Sequence, residues 1–211
     1  IIQFASIFGI PCEWVYFRGQ QVRFVSQLLV RVRSHEATPM LLNVPSGGFC
    51  GSESFGKFEG ATVNEPIKGF FKVPVLVCDW ASLYPSIMQG HNLCHSTWIS
   101  PENVKAMIQS GWSVRRSDNL CNPPPLAIVE HDIGSKKTFF VHAVAARGVL
   151  PALLCDLAKQ RKAAKAEQKR YLQLSKDAST EEDRHKLSTL ANVYNGRQLA
   201  MKVAMNSMYG A

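Results

Sequence analysis

The alternation of apolar and polar positions divides the chain into a few elements. Over residues 21–33, Val22, Val25, Leu28, Leu29 and Val32 recur at helical spacing while Arg23, Arg31 and Arg33 mostly fall elsewhere, which predicts an amphipathic helix. Residues 73–81 (VPVLVCDWA) are short, apolar and β-branched, and predict a buried strand that ends on Asp79. Ser82 is then placed to cap a short helix with Pro85 in its first turn. Residues 138–144 (TFFVHAV) predict another strand. From Pro151 the pattern turns to Ala, Leu, Lys, Gln and Glu, which predicts a helix over 151–176. A second helix is expected from about Thr180 toward Met208, opened by the capping box Ser179-x-x-Glu182. Two long helices and a tight turn make an antiparallel hairpin. Gly196, inside the second, suggests close packing or a kink. The Gly/Ser-rich stretch 43–60 reads as an exposed loop, and Pro101, Gly111 and Pro123-Pro124-Pro125 leave only short elements over 100–137.

Composition sharpens this picture. With 211 residues and 46% hydrophobic content, the chain can bury a core, so disorder is not expected. No run reaches the roughly 18 apolar residues of a membrane helix, because His142, Arg147 and Pro151 interrupt the nearest candidate. The front carries Ile1 and no signal-peptide pattern, and an internal piece of a longer protein is expected. Six cysteines with no CxxC pair argue against a zinc ribbon or a disulfide framework, and are expected to be reduced intracellular thiols, mostly buried.

The net charge is +8, and +5 of it falls within residues 151–211. Lys159, Arg161, Lys162, Lys165, Lys169, Arg170 and Lys176 face one anion, Glu167, over residues 159–176. Such a cluster attracts phosphates, although charge alone favours a solvated helix face.

Two patterns resemble sites and fail. Gly51 to Phe58 nearly matches GxxxxGK[ST], but Phe58 stands where a hydroxyl should meet magnesium. His91, Cys94 and His95 could hold a metal on one helical turn, yet no fourth ligand is evident, so they are read as ordinary hydrogen-bonded residues. Three parts survive together. Asp79, at a strand end, suits magnesium, and the capped turn after it offers N–H groups to phosphate. Arg161 and Lys165 lie one turn apart on the first long helix. Lys202, Asn206 and Tyr209 share a face of the second. Folding the hairpin beside the strand would converge three cations on phosphates next to a carboxylate-bound metal.

These residues carry a family resemblance. DWASLYPSI (79–87) resembles motif A of family B DNA polymerases, and KVAMNSMYG (202–210) resembles their motif B. Arg147 to Pro151, followed by Gln160 to Lys165, is similar to the stretch opening the fingers helices. Arg18 to Val22, Glu59 to Val63 and His91 to Cys94 are similar to delta-type replicative polymerases of eukaryotes and large DNA viruses.

The resemblance implies an α/β fold: a partial palm of short strands and helices plus an antiparallel two-helix fingers hairpin. It divides the chain into a linking segment, 1–69, with a flexible loop at 43–57, a partial palm with motif A, 70–147, and fingers ending in motif B, 148–211. It implies DNA-directed DNA synthesis by two-metal phosphoryl transfer, with two Mg2+ ions in the complete enzyme. Asp79 and the Trp80 backbone carbonyl become metal ligands, and Trp80 departs from the commoner Phe, Tyr or Leu. Ser82, Leu83, Tyr84, Arg161, Lys165, Lys202 and Asn206 become nucleotide-binding residues, with Tyr84 as steric gate. Lys202 also becomes the acid for the pyrophosphate, and Tyr209 and Gly210 line the nascent base pair. The implied partners are primer-template DNA, dNTP, a sliding clamp and accessory subunits, at work in a nucleus or a viral replication site. Motif C is missing from these residues, so this piece alone is expected not to polymerise. Two rivals are a non-catalytic polymerase-like DNA-binding scaffold and a general basic nucleic-acid-binding helical module.

Overall fold

The computed structural model describes residues 1–33, 63–80, 82–118, 121–133 and 136–208. Among these it contains seven helices and a four-stranded mixed sheet, an α/β arrangement. The chain separates into two compact units: Ile1–Met40 with Ser82–Ala211, and Leu41–Ala81. The loop expected at 43–60 and the rejected GxxxxGK-like stretch lie outside the described residues.

In the larger unit, α1 (Ile2–Phe8), α2 (Trp14–Phe17) and α3 (Gln20–Arg33) come first. The amphipathic helix predicted at 21–33 is α3, but its buried face runs through Phe24, Gln27 and Leu28, and Leu29 is exposed. The Gln27 amide donates to the Ile7 carbonyl at 3.0 Å, tying α3 to α1, and Arg31 pairs with Asp156 at 2.8 Å.

The sheet holds β1 (Trp98–Ile99), β2 (Ser113–Arg116), β3 (Ala127–Ile133) and β4 (Lys136–Val141) in the order β1-β4-β3-β2. β4 pairs antiparallel with β1 and β3, and β2 joins β3 in parallel. The strand predicted at 138–144 is β4, shifted toward its N-terminus. Ile99, Ile128 and Phe139 form a core with Val104 of α5 (Pro101–Gln109), against which Val114 and Val141 pack.

The long hairpin is α6 (Val149–Asp177) and α7 (Glu181–Ser207). On α6 the buried or half-buried positions 150, 154, 157, 161, 164, 168, 171 and 175 alternate steps of four and three residues. Positions 187, 191, 194, 198, 201, 205 and 208 do the same along α7. That is the seam of two antiparallel helices packed in coiled-coil fashion. Tyr171 and Tyr194 stack across it at 5.4 Å between centroids. The cap lies one residue later than the sequence suggests: Thr180 Oγ1 accepts from the Asp183 N–H at 3.2 Å. Thr180 has the extended backbone an N-cap needs, so the Ser179-Glu182 pairing is not used. Gly196 is not in close packing either, since a Cβ there would meet only Gln3 Cγ at 4.0 Å.

A buried asparagine joins the sheet to the root of this hairpin. Asn92, 1% exposed and left-handed at φ 55°, follows α4 (Leu83–Gly90). Its amide donates to the carbonyls of Val141 (2.7 Å) and Ala146 (2.8 Å), and its Oδ1 accepts from the Gly148 N–H (2.8 Å). Its own carbonyl accepts from Thr97 Oγ1 at 2.6 Å. Gly148 is confined as tightly: an added Cβ would lie 2.8 Å from Cys94 Cβ.

The smaller unit overturns one expectation. Within 63–80 no helix or strand forms, and every residue is exposed, including Val73, Val75, Leu76 and Val77. An isolated strand has no ladder to satisfy its amides, and among the described residues no other strand pairs with this one. The cysteines also differ from expectation. Cys94 is buried and Cys155 half-buried, but Cys12, Cys78 and Cys121 are exposed, because they stand in segments outside the helices and strands; Cys50 lies outside the described residues.

Candidate functional site

Cations gather on the hairpin, and the seam positions them. Arg161 occupies a seam position and is half-buried; its Nε–H donates to Gln198 Oε1 at 3.4 Å. The Gln198 amide in turn donates to Asn195 Oδ1 at 3.0 Å. Lys165 stands one turn further along α6 and is exposed. Lys202 stands one turn beyond Gln198 on α7, about 6 Å along the axis, and is exposed like Asn206. Because the helices are antiparallel, Arg161 lies between the levels of Lys165 and Lys202. The three cations are therefore ordered Lys202, Arg161, Lys165 along one hairpin. Lys159, Lys162 and Lys169 extend the positive surface of α6 and are exposed.

Ser82, Leu83 and Tyr84 begin α4, which packs on α6. All three are exposed. Ser82 holds the N-cap position but does not cap through its hydroxyl, because its backbone is left-handed (φ 54°, ψ 52°) rather than extended. That conformation costs a non-glycine residue of order 1–2 kcal/mol. The N-terminal turn of a helix is the end suited to anions.

Asp79 and Trp80 belong to the smaller unit, and both are exposed. A carboxylate and a backbone carbonyl are hard oxygen donors of the kind Mg2+ accepts alongside its waters. Among the described residues no group of three or more His, Cys, Asp or Glu could hold a metal. The donor set thus fits a shared cation and not a self-sufficient cage. Tyr209 and Gly210 lie outside the described residues.

The His91-Cys94-His95 triplet does not converge. His95 is exposed, and Cys94 Sγ accepts from the Leu150 N–H at 3.4 Å. His91 instead meets His131 of β3, ring to ring at 5.0 Å. Burial, and then the neighbouring His91, hold the His131 pKa below its usual 6.5.

Sequence reasoning missed Gln198, Asn195, Asn92 and His131. The signal for Gln198 was present in its position four residues before Lys202. That for Asn92 was not, since nothing local marks an asparagine as a hub for carbonyls some 50 residues away.

A family model described as DNA polymerase family B matches residues 10–211. The chain belongs to DNA polymerase family B. Its relatives within family B include DNA polymerase delta catalytic subunits. It is 34% identical over 208 residues to that of Schizosaccharomyces pombe, covering 99% of this chain and 16% of the relative. The subunit of Glycine max is 35% identical over 209 residues with the same coverage. That of Bos taurus is 36% identical over 209 residues, covering 99% of this chain and 15% of the relative. This family B chain thus spans about 16% of the length of the relatives it matches. No helix among the described residues is long and apolar enough to cross a membrane.

Proposed function

We propose that the chain is the nucleotide-binding portion of a DNA-directed DNA polymerase, a nucleotidyltransferase that extends a primer 3′-OH with dNTPs. The observation that carries this reading is the Arg161–Lys165–Lys202 string on a hairpin whose sequence belongs to family B. Residues 148–211 are the fingers, 70–147 part of the palm, and 1–69 a linking segment. Arg161, Lys165 and Lys202 bind the triphosphate, and Ser82, Leu83 and Tyr84 at the start of α4 border its outer phosphates. Each unit charge about 4 Å away contributes on the order of 4 kcal/mol at an effective dielectric near 20, before desolvation. Three such charges are enough to draw the hairpin onto a nucleotide.

Tyr84, half exposed at the start of α4, excludes a 2′-hydroxyl by steric clash. Lys202 donates a proton to the departing pyrophosphate. Asn206, Tyr209 and Gly210 border the nascent base pair. Asp79 and the Trp80 carbonyl would hold Mg2+. When bound, a pair of such ions stabilises the attacking and leaving oxygens of an in-line displacement. The 211 residues contain one of the two aspartates this needs, so the isolated piece does not polymerise. Primer-template DNA is the second substrate, and a sliding clamp and accessory subunits act through other parts of the whole protein. The eukaryotic relatives favour work in a nucleus over a viral replication site.

The test uses the full-length polymerase carrying this chain. Arg161→Met should raise the KM for dNTP at least 10-fold, the order expected for losing one charge-assisted contact of about 1.5–3 kcal/mol. Tyr84→Ala should admit ribonucleotides. Unchanged KM together with unchanged sugar selection would sink the assignment and leave a DNA-binding scaffold as the better account.

A further inference from the structure

The guanidinium of Arg161 is long and flexible in principle, yet it emerges from a packed seam and not from an open helix face. Its Nε–H is directed at Gln198 Oε1 on the opposite helix. Gln198 is itself 8% exposed, so it has little freedom to turn. The direction of its amide is fixed by a second bond: the Nε2–H group donates to Asn195 Oδ1, which leaves Oε1 facing Arg161. Asn195, Gln198 and Arg161 therefore form a directed relay in which each member sets the orientation of the next.

The relay has a chemical consequence. A guanidinium presents its donors in a rigid planar fork. Anchoring the Nε edge fixes the plane and leaves the two terminal amino groups to donate to phosphate oxygens. A neutral amide is a suitable anchor, because a carboxylate in its place would neutralise the cation that must meet a triphosphate.

We propose that Gln198 is a positioning residue for Arg161, holding its guanidinium aimed at the triphosphate, with Asn195 fixing Gln198. This rests on the reading of Arg161 as a triphosphate-binding cation. The role is one of orientation: Gln198 does not touch the nucleotide.

The experiment measures incorporation kinetics and primer-template affinity for the full-length polymerase and four variants: Gln198→Met, Asn195→Ala, Arg161→Met and the Gln198→Met/Arg161→Met double. Methionine keeps the length and helix propensity of glutamine and removes its acceptor. Gln198→Met should raise the dNTP KM about 2- to 12-fold, the range set by one net hydrogen bond, with kcat and DNA affinity unchanged. In the Arg161→Met background the same substitution should add nothing, because its effect passes through the arginine. A merely structural role would instead lower kcat and add in full to the Arg161→Met defect.

An unchanged KM for Gln198→Met beside a raised KM for Arg161→Met overturns the positioning role while leaving the nucleotide-cation reading intact. An unchanged KM for Arg161→Met removes both. Where Gln198→Met does not accumulate as folded protein, the half-buried Asn195→Ala decides: a KM raised by a smaller factor supports the relay, and an unaltered one overturns it.

Discussion

Asn92→Ala isolates the joint between sheet and hairpin. The substitution removes three hydrogen bonds of 2.7–2.8 Å to Val141, Ala146 and Gly148. The Gly148 N–H is buried and loses its acceptor, at about 1–3 kcal/mol. Two carbonyls each lose one donor while retaining a second lone pair, so each costs less, about 0.5–1 kcal/mol. The left-handed backbone at φ 55° adds of order 1 kcal/mol, because alanine tolerates it less readily than asparagine. The sum is a loss of about 3–6 kcal/mol, a large fraction of the roughly 5–15 kcal/mol that stabilises a typical domain. The assay is urea denaturation followed by far-ultraviolet circular dichroism. Asn92→Gly separates the terms, since it relieves the backbone and still lacks the amide; it should recover about 1 kcal/mol of the loss. Asn92→Asp should be at least as damaging as alanine, because a carboxylate oxygen would replace a donor facing two carbonyls. A loss under about 1 kcal/mol for Asn92→Ala would refute the reasoning, since even a single orphaned buried donor costs that much.

Two further outcomes follow. Gly148→Ala drives a Cβ to 2.8 Å from Cys94 Cβ, and should destabilise by about 1–3 kcal/mol, as overpacking does; Cys94→Gly in the same chain should recover part of that loss in the same denaturation assay. The depressed pKa of His131 means that the unfolded chain takes up the proton first. Stability should therefore be level above about pH 6.5, the usual histidine value, and fall as pH drops through the window between the unfolded and folded values. His131→Phe should flatten that fall in urea midpoints measured across pH, and an unchanged profile would contradict the assignment.

Long elements were legible from sequence because their patterning repeats. α6 and α7 carry eight and seven seam positions, and each repeat reinforces the same assignment. β2, β3 and α5 were expected only as unspecified short elements, because Pro101, Gly111 and Pro123-Pro124-Pro125 punctuate that stretch. The strand expected at 73–81 shows the limit of local patterning: apolar, β-branched residues favour a strand only where a neighbouring strand accepts their hydrogen bonds. Arg161, Lys165 and Lys202 could be assigned to the two long helices because helical spacing fixes which side chains share a face. Their support could not, since the Arg161–Gln198 contact joins residues 37 positions apart. Burial of the thiols failed as an expectation because cysteine composition carries no information on which loop a residue occupies.

The uncovered run from Val75 to Val77, 64–88% exposed, bears on how this polypeptide behaves in solution. Apolar side chains beside unsatisfied amides are the surface onto which another copy can zip, edge to edge. Preparations of these 211 residues on their own should grow cloudy with concentration and clear when a charged residue replaces Leu76. The same adhesiveness that spoils a free piece is what would let this stretch knit into the rest of a larger enzyme.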